Sequence, residues 1–173
     1  FVRSAHARAK ITKIDTSKAS KAPGVITILT GDDIAKDKIG GLIAGWKIVS
    51  QDGKDMKIPP HPALTKDSVN FVGDHVAVVI AETLEQAKNA AEQVNVSYKI
   101  QKAVVNTADA TSSEAIHEGI DNNLCFDFLL GDKGKTDEAF SKADKVVKLD
   151  LVNNRLIPNA MEPRAAIGDY NPS

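Results

Sequence analysis

The sequence predicts an α+β fold, and three consecutive stretches carry that expectation. Val76-Ala77-Val78-Val79-Ile80-Ala81 runs without a polar interruption, the pattern of a strand covered on both faces in the middle of a sheet. Thr83-Leu84-Glu85-Gln86 follows with the spacing of a capping box, and Leu84, Ala87, Ala91 and Val94 recur behind it at helical spacing. Val94-Asn95-Val96-Ser97-Tyr98 then alternates with period two, as a half-buried strand does.

The remaining elements are read in chain order around that unit. Residues 7–14 alternate imperfectly and suggest a strand. Asp15-Thr16-Ser17 is placed to cap a short helix running through Lys21, which Pro23-Gly24 ends. Residues 25–29 are apolar and rich in β-branched side chains, which predicts a buried strand. Thr30-Gly31-Asp32-Asp33 turns the chain into a short helical stretch. Residues 36–62 lose regularity, with Gly40, Gly41, Gly45, Gly53, Pro59 and Pro60 scattered through a long polar connection. Connections of that length in compact domains are usually functional or contact a partner. Residues 70–73 read as a turn, and 109–117 as a loop with one helical turn. Thr136 is expected to cap a helix bearing Ala139, Phe140 and Ala143. Two further strands are expected, over 144–152 with Val147, Leu149 and Leu151 on one face, and over 161–170 paired with it. A soft boundary falls between Asn122 and Gly131.

Composition narrows the class of protein. The 42% hydrophobic and 26% charged content of 173 residues is that of an ordinary globular chain able to bury a core. Lys and Arg number 22 against 23 Asp and Glu, so there is no cationic excess to release counterions from nucleic acid. Cys125 is the single cysteine, which excludes an internal disulfide and any cysteine-held zinc or iron–sulfur site. The longest apolar run is far too short to span a bilayer, and no basic-then-apolar leader opens the sequence. Asn95-Val96-Ser97 matches a glycosylation acceptor, which reads as chance in a chain expected to be cytoplasmic. Phe1 stands where an initiator Met would, and Asn171-Pro172-Ser173 reads as a turn between strands. The chain is therefore expected to be a piece of a larger protein.

Candidate chemistry is sparse. His6, His61, His75 and His117 fall in no metal-binding spacing and read as dispersed structural or surface histidines. Cys125 sits between Leu124, Phe126 and Phe128 and reads as a buried, unreactive small hydrophobe rather than a nucleophile. Gly40-Gly41-Leu42-Ile43-Ala44-Gly45 superficially resembles a phosphate-cradling loop, but it lacks the flanking strand and helix and the Gly-Lys-Ser/Thr ending such loops need. Glu162-Pro163-Arg164 is the one polar pair with a geometric argument. Pro163 favours extended backbone at Glu162, and in a strand Glu162 and Arg164 share a face. That pair is either a surface ion pair worth little, or a polar pair set against a cofactor or a second domain.

Read in order, the motifs resemble the N-terminal part of the large subunit of molybdenum hydroxylases, the family of xanthine dehydrogenase, aldehyde oxidase and aerobic carbon monoxide dehydrogenase. The resemblance runs through Phe1-Val2-Arg3-Ser4-Ala5-His6-Ala7-Arg8-Ala9-Lys10-Ile11, Pro23-Gly24-Val25, Leu29-Thr30-Gly31-Asp32-Asp33 and residues 69–81, where Asp74 and His75 replace the family's usual glutamate and proline. It continues through Glu85-Gln86-Ala87, residues 96–98, Gly131-Asp132, Ala139-Phe140 and Ala143-Asp144. Arg155-Leu156-Ile157-Pro158 with Met161-Glu162-Pro163-Arg164-Ala165 looks most like the carbon monoxide dehydrogenase-like branch.

The resemblance implies an α/β-hammerhead domain over residues 1–122. Residues 123–173 would then be a linker and the first strands of an incomplete molybdopterin-binding domain. It implies a parent that oxidises its substrate with water-derived oxygen at molybdenum held by a molybdopterin dinucleotide. Its implied partners are the remainder of the large subunit, a medium FAD-binding subunit and a small 2Fe-2S subunit. Met161, Glu162 and Arg164 are the candidate cofactor-binding residues. No catalytic residue and no metal ligand is carried over, and the piece alone is expected to hold no cofactor, to be inactive and to serve structure and subunit docking. The rival readings are a standalone hammerhead scaffold or binding module and, with less support, a small hydrolase using Cys125 or a histidine.

Overall fold

The computed structural model describes every residue except Arg155, Ile157, Pro158 and Ser173. The chain divides into two compact units, Phe1–Leu130 and Gly131–Ser173.

In the first unit the strands are β1 (Val2–Arg3), β2 (Ala9–Asp15), β3 (Val25–Thr30), β4 (Ser68–Val69), β5 (His75–Ala81) and β6 (Asn95–Ile100), with helices α1 (Gly31–Lys36) and α2 (Leu84–Ala91). They form two three-stranded sheets in the orders β1-β5-β3 and β4-β2-β6, and every pairing is antiparallel. The uninterrupted apolar run does become a central strand. Val2 and Thr30 both pair with Ala77, and Val76, Ala77 and Val79 are buried.

The other sheet explains the imperfect alternation of residues 7–14. Its β2–β6 ladder pairs Ile11 with Tyr98 and Ile14 with Val96, with a register shift between Ile11 and Lys13. An extra residue in one strand reverses the parity of the side chains beyond it. Thr12 and Lys13 therefore both face solvent, while Ile11 and Ile14 both turn inward. There they pack with Val96 and Tyr98 against a buried centre of Ala9, Val69 and Val76. Val76 belongs to the first sheet and the others to the second, so this centre joins the two.

The helices are set by their first turns. The Thr83 hydroxyl accepts from the Gln86 amide at 3.2 Å, and the Gln86 side-chain carbonyl accepts from the Thr83 amide at 3.0 Å, closing the expected box. Gly24 lies at φ +73°, a left-handed backbone that favours glycine, and the end of the Gln86 side chain lies over it. At α1 the Asp33 carboxylate accepts from both the amide and the hydroxyl of Thr30, at 2.8 and 2.9 Å. These bonds, the amide first, hold the Asp33 carboxyl below its ordinary range.

Several expectations are corrected. Residues 25–29 do form a strand, but it is an edge strand, and Ile26 is 67% exposed. The helix face that packs is Gln86, Ala87, Ala90 and Ala91, with Ala90 fully buried and Leu84 facing solvent. Asp15 caps no helix. Its carboxylate takes the Lys13 ammonium at 2.7 Å and the Ser17 hydroxyl at 2.6 Å, and a short 3₁₀ turn over Ala19–Lys21 follows.

In the second unit the helix α3 (Lys133–Lys142) is capped by Asp132, whose carboxylate accepts from the Lys135 amide at 2.9 Å, and not by Thr136. Neither of the strands expected over 144–152 and 161–170 forms among the described residues, and Val147, Leu149 and Leu151 lie exposed. A strand exists only when a neighbour completes its ladder, and alternating side chains alone do not supply one.

Substitution tests this account of the first unit. Val76→Ala is expected to cost about 2 kcal/mol, because it empties space at the junction of both sheets. Thr83→Ala is expected to cost about 1 kcal/mol through loss of the cap. Urea unfolding followed by circular dichroism measures both.

Candidate functional site

The three residues carried as candidate cofactor ligands do not converge. Met161 is 102% exposed, Glu162 and Arg164 are exposed, and no ion pair among the described residues includes either charge. The expected pair needed a strand to bring the two side chains onto one face, and residues 161–162 form a bend instead. Arg155, Ile157 and Pro158 of the branch-like motif lie outside the described residues. A pterin requires a cavity with a few directed donors and acceptors. No group of three potential metal-binding side chains occurs among the described residues.

Three of the histidine rings meet aromatic rings. The His6 ring meets Tyr98 edge-on at 4.9 Å between centroids, His75 is tilted against Phe1 at 4.9 Å, and His61 meets Phe71 at 6.0 Å. Cys125 is half-buried rather than buried, and its carbonyl accepts from the Lys57 amide at 2.9 Å. The long connection is thereby tied down. The Gln51 amide reaches the Asp127 carbonyl at 2.8 Å, and the chain folds back on itself through a bridge between Val49 and Asp55. Trp46 stands 81% exposed on it.

The arrangement that spacing did not reveal centres on Arg8. This residue immediately precedes β2 and is only 7% exposed. Its guanidinium donates to the carbonyl of Lys102 at 3.1 Å and to that of Ala115 at 2.9 Å, and the Glu114 carboxylate lies 3.5 Å away. The Arg8 carbonyl accepts from Gln101 at 3.0 Å. One side chain thus joins the start of β2 to two points, Lys102 and Ala115, of the segment that follows β6. That segment is closed at its far end by Asn123. Its side chain accepts from the Ile116 amide at 2.8 Å and donates to the carbonyls of Ala110 and Glu114 at 2.8 and 3.1 Å. The signal available in the sequence was one cation set among small residues in Ala5-His6-Ala7-Arg8-Ala9.

Beside this node lies a groove of about 950 Å³ whose walls include Leu42, Ile58, Pro60, Phe71 and Ile116, with His61, Asp74 and His117 among its polar groups. Asp74 is buried, and its carboxylate accepts from the Asn70 amide at 3.0 Å, closing the turn before β5. Burial, helped by the Arg8 charge and opposed by Asp74, holds the His117 imidazole below its ordinary pKa. His75 is lowered in the same way, by burial first and then by Arg3. The lining of the groove is half apolar and half polar, with Lys66, Asp67 and Glu118 adding charge to it.

A family profile described as "Aldehyde oxidase and xanthine dehydrogenase, a/b hammerhead domain" matches residues 1–102, and the chain belongs to that family. Among its relatives is the nicotine 6-hydroxylase large subunit of Paenarthrobacter nicotinovorans, 33% identical over 98% of this chain and 20% of the relative. The carbon monoxide dehydrogenase large chain of Afipia carboxidovorans is 32% identical over 94% of this chain and 20% of its own length. Among solved structures, reconstituted carbon monoxide dehydrogenase from Oligotropha carboxidovorans superposes with a TM-score of 0.66 at 30% identity, covering 84% of this chain and 18% of that one. The fold is therefore that of the hammerhead domain. The chain spans a tenth to a fifth of the length of the curated relatives it matches.

Arg8→Ala is expected to cost about 3 kcal/mol, because two carbonyls lose their buried cationic donor. It is also expected to make residues 102–115 the first site of limited proteolysis. Glu114→Gln, at the largely exposed end of the same cluster, should cost less than about 1 kcal/mol.

Proposed function

We propose that this chain is the hammerhead domain, residues 1–122, and the opening of the cofactor-binding portion, residues 123–173, of a molybdenum hydroxylase large subunit. The parent is an oxidoreductase of the carbon monoxide dehydrogenase-like branch, working in the cytoplasm. Molybdenum on a molybdopterin dinucleotide supplies the oxygen-transfer chemistry there, and the oxygen comes from water. A medium FAD-binding subunit and a small 2Fe-2S subunit carry the electrons away. The stretch described here has a structural and docking role and no activity by itself.

The observation that carries this reading is the reach of the alignments. They extend over 94–98% of the chain, well past the hammerhead match that ends at residue 102, and the proteins on the other side are large subunits or large chains. The branch assignment rests on the Met161-Glu162-Pro163-Arg164-Ala165 motif. Overall identity does not separate the branches, since the nicotine hydroxylase and carbon monoxide dehydrogenase chains differ by a single percentage point.

Purification of the native protein containing this sequence, followed by elemental analysis and identification of co-purifying chains, tests the proposal. The expected result is a polypeptide several times longer than 173 residues carrying molybdenum, in company with flavin and iron–sulfur chains. A native protein of about this length without molybdenum would replace the enzyme reading with that of a freestanding scaffold.

A further inference from the structure

We propose that two copies of this chain pair edge to edge through β6, antiparallel, with Ser97 of each copy on the twofold axis. β6 closes one side of the β4-β2-β6 sheet and pairs with β2 alone. Just past its end the Gln101 amide donates to the Arg8 carbonyl at 3.0 Å. Bonded and non-bonded pairs alternate along an antiparallel ladder, so Lys99 and Lys10 form the next bonded pair. The Ser97 carbonyl is held on the same side by the Thr12 hydroxyl at 3.0 Å. The backbone groups of Val96, Tyr98 and Ile100 therefore point away from β2. No hydrogen bond among the described residues takes them.

The other sheet edges are blunted. β1 and β4 end after two residues each, and β3 carries a register shift between Val25 and Thr27. Short strands and bulges are the usual means of keeping an edge from pairing. β6 has neither, since its six residues take consecutive places in the register with β2. A row of unpaired donors and acceptors is matched by another extended strand.

The side chains of β6 suit a second copy of itself. Asn95, Ser97 and Lys99 are exposed, while Val96 and Tyr98 are half-buried and pack toward the buried centre. In an antiparallel pair centred on Ser97, Val96 stands opposite the partner's Tyr98, a β-branched side chain against an aromatic one. These are the residues whose backbone groups point outward, so each such pair exchanges both of its bonds. Ser97 meets the partner's Ser97, hydroxyl to hydroxyl. Lys99, the charge that would guard the edge, faces the neutral side chain of the partner's Asn95. A contact this short buries less surface than a permanent dimer needs, so the pair forms and dissociates with concentration.

Sedimentation equilibrium of the full 173-residue chain over a range of concentrations tests this. The mass is expected to rise from the 18.5 kDa of one chain toward twice that value. Ser97→Lys sets two ammonium groups opposite each other on the axis and is expected to weaken association by about five-fold or more. Ser97→Glu is expected to do the same, and an equal mixture of the two variants to recover association, because opposite charges then meet. Ser97→Cys in a Cys125→Ser background adds no charge and gives a second reading, an intermolecular disulfide on mild oxidation. A single-chain mass at every concentration, association that Ser97→Lys leaves unchanged, a mixture no stronger than either variant, or no cross-link through Ser97→Cys would each overturn the proposal. Association unchanged by Ser97→Lys would assign the contact instead to exposed apolar side chains such as Val147 and Leu149.

Discussion

A single buried guanidinium organises the first unit more than any other polar group. Removing a cation from water costs on the order of several kcal/mol, and the cost is offset only when acceptors surround it. Arg8 obtains those acceptors from Lys102 and Ala115, more than ninety residues along the chain. Because the need is electrostatic, the segment after β6 must close over the start of β2, and the wall of the groove at Ile116 and His117 comes with it. Asn123 serves the same segment from the other side by satisfying backbone groups that no sheet or helix reaches.

The apolar framework beneath that node depends on parity. Val76 belongs to one sheet, and Ala9, Ile11, Ile14, Val96 and Tyr98 to the other, yet they share one centre. They do so because the shift in the β2–β6 ladder turns Ile14 to the same side as Ile11. A regular strand would have sent Ile14 outward and Lys13 inward. α2 packs on the β1-β5-β3 sheet and is fixed at its first turn by Thr83 and Gln86, whose side chain ends over the backbone of Gly24.

Family and chemistry separate cleanly in this chain. Hammerhead membership rests on the match over residues 1–102 and on the superposition with a solved carbon monoxide dehydrogenase. Met161, Glu162 and Arg164, to which the family resemblance pointed, are exposed. The first unit offers a shaped surface: a groove of mixed apolar and polar lining, an exposed Trp46 on a tied-down connection, and a histidine whose pKa burial lowers.

The sequence by itself determined the strand–helix–strand unit, the box at Thr83, the period-two strand at Val96 and Tyr98, and the family, because each is written in local spacing or in the order of motifs. It also carried the irregular alternation of residues 7–14, whose cause appeared only when the partner strand showed the bulge. Tertiary structure alone decided that residues 25–29 lie at an edge, that Leu84 faces solvent, and that Arg8 is buried. It also decided that Val147, Leu149 and Leu151 form no strand among the described residues. The physical reason is common to all of these. Helix caps and periodicities are contracts between residues a few positions apart, whereas burial, edge position and strand pairing depend on which distant segment supplies the other half of each contact.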